Sequence, residues 1–138
     1  MGELVYVALG SNLGDRAAFL ARGRDGLRGL PRTRVIAETP VEETEPFGPP
    51  GQEPYLNQMI AIDTALTPQA LLESLHAIEQ SAGRTRDVRW GPRTLDLDIV
   101  RFGARVVAEG GLTVPHPGLA DREFWQREVR DLDRQLDG

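Results

Sequence analysis

Glu-Leu-Val-Tyr-Val-Ala-Leu, at residues 3–9, is a mostly apolar run of strand-forming residues near the start of the chain. Such a run predicts a central strand, because both faces of a central strand are covered by other elements. A turn follows, and the next stretch predicts a helix over about 15–29 with an apolar stripe of Leu13, Leu20 and Leu27. The chain is therefore expected to begin with a strand, a tight turn and a helix.

A second helix and several further strands are predicted from the rest of the sequence. Thr67-Pro68 is a helix start with an N-cap threonine, and Leu71, Leu75 and Ile78 form the predicted buried face of that helix. Strands are predicted over 33–43, with an interruption near Pro40, and over 55–66 and 95–102. A hairpin turn is predicted over 102–105 and leads to short runs at 106–107 and 112–114. The C-terminal segment is predicted to be helical, because Trp125, Val129, Leu132 and Leu136 fall at helical spacing.

The order β-α-β-β-α-β predicts a ferredoxin-like α+β fold, in which two helices cover one face of an antiparallel sheet. An extra β-hairpin and a C-terminal helix extend this core. The chain has 138 residues and shows no repeat or linker, so a single domain over residues 1–138 is predicted.

Composition excludes several classes of function. The net charge of −5 argues against nucleic-acid binding, and no apolar run is long enough to span a bilayer, which favours a cytoplasmic location. The chain has no cysteine and only two histidines, so a cysteine-containing or histidine-rich zinc site is not expected. All 16 basic residues are arginine, so phosphate has to be neutralised by arginine, metal or backbone N–H groups, and a lysine-containing P-loop is excluded.

Asp96 and Asp98 stand two positions apart in the predicted strand 95–102. Period-2 geometry places both on one face, with Leu95, Leu97 and Ile99 on the other. A solvated strand face is the simpler interpretation of an isolated Asp-x-Asp. Two neighbouring carboxylates repel each other, however, and a cation offsets that cost. Mg²⁺ takes one or two carboxylates together with phosphate oxygens, so the pair predicts a Mg²⁺–polyphosphate site.

Arg84, Arg86, Arg89 and Arg93 lie just before this strand. One or two of them fit an ordinary solvated loop. A cluster of guanidinium groups on a loop that contains Trp90 also fits closure over a ligand and stabilisation of charge on a transferring phosphoryl group.

Four further residues could be structural or could belong to a binding site. Tyr55 and Phe124 are read in isolation as core aromatics, whereas the amide of Asn57 in a predicted strand suits pairing with a planar heterocycle. His116 lies between Pro115 and Pro117 and fits either a loop histidine or a phosphate or ribose contact. The other histidine, in the middle of the second helix, is interpreted as structural or solvent-facing.

With these residues in place, the chain resembles the 6-hydroxymethyl-7,8-dihydropterin pyrophosphokinase family of the folate pathway. The resemblance covers about residues 4–124 in unbroken order. Its most specific part is the run at 89–99, Arg-Trp-Gly-Pro-Arg-Thr-Leu-Asp-Leu-Asp-Ile. The other matching runs are Ala8–Asp15, Glu43–Gly48, Tyr55–Asn57, Gly83-Arg84 and Leu112–Pro117.

The resemblance implies a ferredoxin-like fold and transfer of pyrophosphate from ATP to the hydroxymethyl pterin, giving AMP and the pterin diphosphate. The family's site residues then correspond to positions of this chain. They are Asp96 and Asp98 as ligands of two Mg²⁺ ions; Arg84 and Arg93 as catalytic arginines; Thr44, Phe47, Tyr55, Asn57 and Phe124 at the pterin; and Glu79, Arg89, Trp90, Ile99, Thr113, His116 and Arg122 at ATP.

The chain departs from the family pattern at three places. The segment 84–90 is one residue shorter than in some relatives, so Arg86 has no assigned counterpart in the family. Gly111 stands where many relatives carry a basic residue, which is expected to weaken one ATP contact, and residues 126–138 are charged and helix-like instead of apolar. The expected partners are ATP and the pterin, without nucleic acid or membrane, and the expected state is a monomer. The alternatives are a non-catalytic nucleotide- or pterin-binding module on the same fold and an RNA-binding ferredoxin-like domain.

Overall fold

The computed structural model describes residues 2–45, 53–83 and 94–137. Seven strands and three α-helices lie in these ranges, together with one short 3₁₀ helix at Pro117–Asp121. The elements are β1 (Glu3–Ser11), α1 (Arg16–Arg28), β2 (Thr33–Glu38), β3 (Glu42–Thr44), β4 (Tyr55–Thr64), α2 (Pro68–Ser81), β5 (Asp96–Phe102), β6 (Val107–Glu109), β7 (Leu112–Val114) and α3 (Glu123–Asp137).

The main sheet is antiparallel, and its strand order is β2-β4-β1-β5, with β3 paired to β4 as well. The predicted central position of β1 is confirmed, because β1 pairs with β4 on one side and with β5 on the other. Its residues from Val5 to Ser11 are all buried, which explains why the run is apolar on both faces.

The two faces of this sheet carry different helices. Val5, Val7 and Leu9 of β1 pack with the buried leucines of α1 and α2, whereas Tyr6 and Ala8 pack with Trp125, Val129 and Leu132 of α3. The predicted α+β fold with two helices on one face is confirmed, and α3 covers part of the opposite face. No helix in the described part of the chain is both long and apolar enough to cross a bilayer.

The predicted stripe of α1 was correct for Leu20 and Leu27, which are buried, and wrong for Leu13. Leu13 is 48% exposed because it precedes the helix. Asp15 is the N-cap, and its carboxylate accepts a hydrogen bond from the N–H of Ala18 at 3.1 Å.

Helix α2 begins as predicted, with Thr67 as N-cap and Pro68 in the first turn. Leu71 and Leu75 are buried, but Ile78 is only half-buried, and Glu79 is buried at 2% exposure. A carboxylate is therefore buried on α2 beside the leucines that were predicted to be buried, and it has a hydrogen-bond partner there.

The predicted hairpin turn at 102–105 was wrong. The chain does turn there, with the N–H of Arg105 donating to the carbonyl of Phe102 at 2.9 Å, but β6 pairs with β7 in a separate two-stranded sheet. Gly110 and Gly111 connect those strands with φ values of 62° and 79°. Two consecutive positive φ angles suit a two-residue hairpin, and glycine adopts them without steric cost.

The C-terminal helix was predicted in outline. Trp125, Val129 and Leu132 are buried in the contact of α3 with the sheet, as the spacing indicated, whereas Leu136 near the end of the helix is 37% exposed. The charged segment after Phe124 thus packs as an amphipathic helix on the sheet face opposite α1 and α2.

Candidate active site

Strand β5 presents its two carboxylates on one face and its apolar residues on the other. Asp96 and Asp98 are half-buried, whereas Leu95, Leu97 and Ile99 are buried and belong to the core under α1 and α2. This confirms the predicted period-2 arrangement. Asp98 lies opposite Ala8 of β1, on the sheet face that α3 partly covers, and the half-buried carboxylates remain accessible there.

One cross-strand line connects the carboxylates to Asn57. Gly10 of β1 lies opposite Asn57 of β4 on one side and opposite Asp96 of β5 on the other. Asn57 and Asp96 therefore share a face across two strand spacings, roughly 10 Å. The predicted pterin amide and the predicted metal ligand are thus on one polar strip of the sheet.

Gly10, in the middle of this strip, leaves room for the side chains of Asn57 and Tyr55. A Cβ atom there would lie 3.2 Å from Oδ1 of Asn57 and 3.3 Å from Cδ1 of Tyr55, closer than such atoms normally approach. The sequence therefore places the smallest residue between two side chains predicted to bind a flat ligand.

Thr44 and Asn57 are held together at the β3–β4 pair. The side-chain amide of Asn57 donates a hydrogen bond to Oγ1 of Thr44, and Thr44 lies opposite Tyr55 in the register. Asn57 is 6% exposed, so its orientation is fixed by the protein. The structure brings three of the five predicted pterin residues together at one end of the sheet.

His116 is anchored beside Asp98. Its Nδ1 accepts a hydrogen bond from the N–H of Gly118 at 2.9 Å, so a neutral ring carries its proton on Nε2. That Nε2 lies 3.8 Å from Oδ1 of Asp98. Burial lowers the pKa of His116, the positive charge of Arg122 lowers it further, and Asp96 acts in the opposite direction. The structure thus assembles His116 with the carboxylate pair.

A cleft of about 300 Å³ opens between β5, α2 and the β6–β7 hairpin. Both carboxylates line it, together with four of the predicted ATP residues, Glu79, Ile99, Thr113 and His116. His76 lines it too, although the sequence analysis interpreted it as structural or solvent-facing. The sequence could have indicated this position for His76, because it stands three residues before Glu79 and residues three apart on a helix share a face.

Glu79 has a structural partner in this cleft. Its Oε2 accepts a hydrogen bond from the N–H of Leu97 at 2.8 Å. Among the described strands, β5 has a neighbour only on its β1 side, so this amide points away from the sheet and needs another acceptor. Glu79 thereby fixes the backbone between Asp96 and Asp98. Direct contact between Glu79 and ATP stays a prediction.

Arg122 and Phe124 flank the start of α3. The guanidinium of Arg122 lies 4.3 Å from the centre of the Trp125 ring, and the Phe124 ring lies 6.3 Å from that ring at an interplanar angle of 67°. A sandwich of the pterin between Phe124 and Tyr55 stays a prediction. The predictions for Phe47, Arg84, Arg89, Trp90 and Arg93 fall on residues outside the described ranges.

The donor set suits Mg²⁺ bound together with phosphate. Within the described ranges, no group of three or more histidine or acidic side chains is arranged to hold a metal ion. Two carboxylates, those of Asp96 and Asp98, could hold a cation here with further positions left to water and substrate oxygens. Mg²⁺ prefers that combination to a cage made wholly of protein ligands.

Comparison with known proteins finds a single family of relatives. A sequence model of the family described as 7,8-dihydro-6-hydroxymethylpterin-pyrophosphokinase matches residues 6–134. The chain is also similar to proteins named 2-amino-4-hydroxy-6-hydroxymethyldihydropteridine pyrophosphokinase. The one from Pseudomonas aeruginosa is 44% identical over 132 residues, which cover 96% of this chain and 82% of the relative. The one from Methylorubrum extorquens is 42% identical, covering 86% and 75%, and the one from Bacillus subtilis is 39% identical, covering 99% and 82%.

Proposed function

The chain belongs to the 7,8-dihydro-6-hydroxymethylpterin-pyrophosphokinase family, and on that premise we propose that the cleft beside β5 binds ATP while the strip around Asn57 binds the pterin. The enzyme transfers a pyrophosphoryl group from ATP to the hydroxymethyl group of 6-hydroxymethyl-7,8-dihydropterin, a step of folate biosynthesis. The observation that supports our placement best is the line Asn57–Gly10–Asp96, which connects the two binding regions through one register of the sheet.

The reaction requires positioning and charge neutralisation more than a strong base. The hydroxymethyl oxygen forms a bond to the β-phosphorus of ATP, the bond from that phosphorus to the oxygen of the α-phosphate breaks, and AMP leaves. The hydroxyl proton is released to solvent. Asp96 and Asp98 would hold two Mg²⁺ ions, which supply positive charge to the phosphate oxygens when bound. The Nε2 of His116 would donate a hydrogen bond to a phosphate oxygen on the same side of the cleft.

We assign the remaining positive charge to arginine. Arg84 and Arg93 are proposed to contact the transferring phosphates, because the chain contains no lysine that could do so. Arg89, Trp90 and Arg122 are proposed to lie on the ATP side. Glu79, Ile99, Thr113 and His116 complete the proposed nucleotide subsite, and this proposal is supported by their common position along the cleft.

We assign the pterin to the opposite end of the strip. Asn57 offers an amide to the edge of the heterocycle, Thr44 orients that amide, and Tyr55 offers a flat aromatic surface beside Gly10. Phe47 and Phe124 are proposed to complete the pocket. We also propose that residues 1–138 act as a single domain and as a cytoplasmic monomer on small molecules only, without nucleic acid or membrane.

The direct test is the product of the purified protein with Mg-ATP and 6-hydroxymethyl-7,8-dihydropterin. We expect AMP and the pterin diphosphate in equal amounts by chromatography. ADP as the sole nucleotide product would contradict the reaction. Binding of Mg-ATP in calorimetry without any AMP release would support a non-catalytic binding module instead.

The proposed pterin role of Asn57 predicts a selective defect. Replacing Asn57 by Ala removes the amide and leaves Thr44 without its partner, so KM for the pterin is expected to rise at least about tenfold while KM for ATP changes little. Initial-rate kinetics with each substrate varied in turn measure both constants.

Gln58→Ala is the matched control for this variant. Gln58 is the next residue in β4, is similarly buried at 5% exposure, and bonds Arg24 and the carbonyl of Thr39 instead of the site. Equal changes of both KM values in the Asn57 variant, or the same pterin defect in the Gln58 control, would contradict the assignment.

A further inference from the structure

We propose that Trp125 is a positioning residue for the nucleotide subsite, which it orders by holding His116 and Arg122 against the sheet. This inference rests on the proposed function, because it takes those two residues as ATP contacts. Trp125 itself is 3% exposed, so it acts through its neighbours and not by contact with substrate.

Two of the proposed ATP residues contact the indole ring. The centre of the His116 ring lies 4.9 Å from that of Trp125, and the two planes meet at 89°, the edge-to-face arrangement that aromatic pairs favour. The guanidinium of Arg122 lies 4.3 Å from the ring centre, within range of a cation–π interaction. One buried ring thus contacts an imidazole and a cation of the same subsite.

The space between these two side chains is closely filled. A Cβ atom on Gly118 would lie 3.1 Å from Cζ of Arg122 and 3.1 Å from Nδ1 of His116. The N–H of Gly118 also donates to that Nδ1. His116 is therefore fixed by Gly118 at Nδ1 and by Trp125 at the ring, and its remaining polar atom, Nε2, is directed toward Asp98.

Trp125 is in turn fixed to the strands that carry the site. It belongs to the buried cluster under α3 that includes Ala8, Met59 and Val100. Ala8 lies directly opposite Asp98 in the β1–β5 register. The same sheet therefore sets the positions of the carboxylate and of the ring that holds its histidine neighbour.

The ring of Trp125, more than its apolar character, is expected to determine the affinity for ATP. Trp125→Leu keeps an apolar side chain but loses the ring, so we expect the Kd and the KM for ATP to rise about tenfold. Trp125→Phe keeps a ring at that position and is expected to restore most of the ATP affinity. The effect on kcat is expected to be smaller than the effect on KM.

Leu132→Ala is the matched control, because Leu132 is fully buried in the same cluster of the same helix and has no assigned role in the site. We expect it to lower the melting temperature at least as much as Trp125→Leu while the Kd for ATP stays within about twofold of the unmodified protein.

A double-mutant cycle of Trp125→Leu with His116→Ala completes the test. If Trp125 acts mainly through His116, adding His116→Ala to Trp125→Leu raises the Kd for ATP much less than His116→Ala raises it in the unmodified protein.

Calorimetric titration with Mg-ATP is the deciding measurement, since it needs no turnover. An unchanged Kd for ATP in Trp125→Leu, or a Kd in Trp125→Phe as weak as that in the leucine variant, would overturn the proposal. If Trp125→Leu does not fold, Trp125→Met takes its place, because it also keeps an apolar side chain and loses the ring, and an unchanged Kd for ATP in that variant overturns the proposal equally. Absence of AMP release by the unmodified protein would refute the proposed function alone, because the effect on ATP affinity is measured separately.

Discussion

Asp96→Asn and Asp98→Asn are each expected to lower kcat on the order of 10³-fold, equivalent to about 4 kcal/mol of transition-state stabilisation. Both carboxylates lie on the open end of one sheet face and line the cleft assigned to ATP. Asparagine keeps the size and polarity of the side chain but removes the negative charge that a divalent cation requires. The fold is expected to persist, because each substitution also removes like-charge repulsion within the pair.

Asp63→Asn is the matched control for these variants. Asp63 lies on a strand of the same sheet, its side chain is 33% exposed like that of Asp98, and its carboxylate is 3.8 Å from a basic group, here Arg34. We expect normal turnover from this control. Calorimetry with ATP in the presence and absence of Mg²⁺ adds a readout besides activity, since the site variants should lose the Mg²⁺ dependence of ATP binding. Full activity in both site variants would refute the metal assignment.

Glu128→Met is expected to stabilise the protein, by about 3 kcal/mol in the free energy of unfolding at pH 9. Glu128 is 3% exposed on α3, and neither of its carboxyl oxygens has a hydrogen-bond partner among the residues that the structure describes. Burial is the main cause that raises the pKa of Glu128 to about 8, with a contribution from the negative charge of Glu42, an opposing one from Arg127 and a smaller raising one from Asp131. An unbranched apolar side chain of similar length removes the buried polar group without leaving a large void.

The pH dependence gives the sign of this effect. The folded protein holds the proton of Glu128 up to about pH 8, whereas the unfolded chain releases it near the ordinary value of 4.5. Between those values the folded state binds more protons, so the contribution of Glu128 to stability is fully present below pH 4.5 and is lost as the pH rises to about 8. The stability difference between Glu128→Met and the unmodified protein should therefore widen from pH 5 to pH 9.

Chemical denaturation at several pH values measures this difference, with Glu123→Gln as the control. Glu123 lies on the same helix and is exposed, so its substitution should shift the curve little at any pH. Parallel stability profiles for Glu128→Met and the unmodified protein would contradict the assignment of a proton to Glu128 in the fold.

The parts of the fold that follow from local pattern were predictable. The apolar run of β1, the Thr67-Pro68 start of α2 and the alternation around Asp96 and Asp98 each depend on residues close in sequence, and the structure confirms all three. The pairing of Asp96 with Gly10, and of Gly10 with Asn57, depends on strand register, which is decided by contacts far apart in the chain.

The sequence analysis differs from the structure for local and for long-range reasons. Leu13 continued the heptad spacing of α1, but the helix begins only after the Asp15 cap, so Leu13 lies outside it. Glu79 and Glu128 are buried charged residues, and composition alone favours the surface for such residues. Burial of Glu79 depends on an amide that only the assembled sheet leaves without a strand partner. The assigned roles of the site residues remain predictions, and the kinetic tests above address them.

The bond between Glu79 and Leu97 also bears on how the molecule avoids self-association. A sheet's outer strand with free amides is a template on which another chain can add a strand and begin to aggregate. Glu79 occupies one such amide with a charged acceptor, at the strand that carries the two aspartates. The carboxylate thus leaves one fewer free donor on this outer strand for the backbone of another chain to pair with.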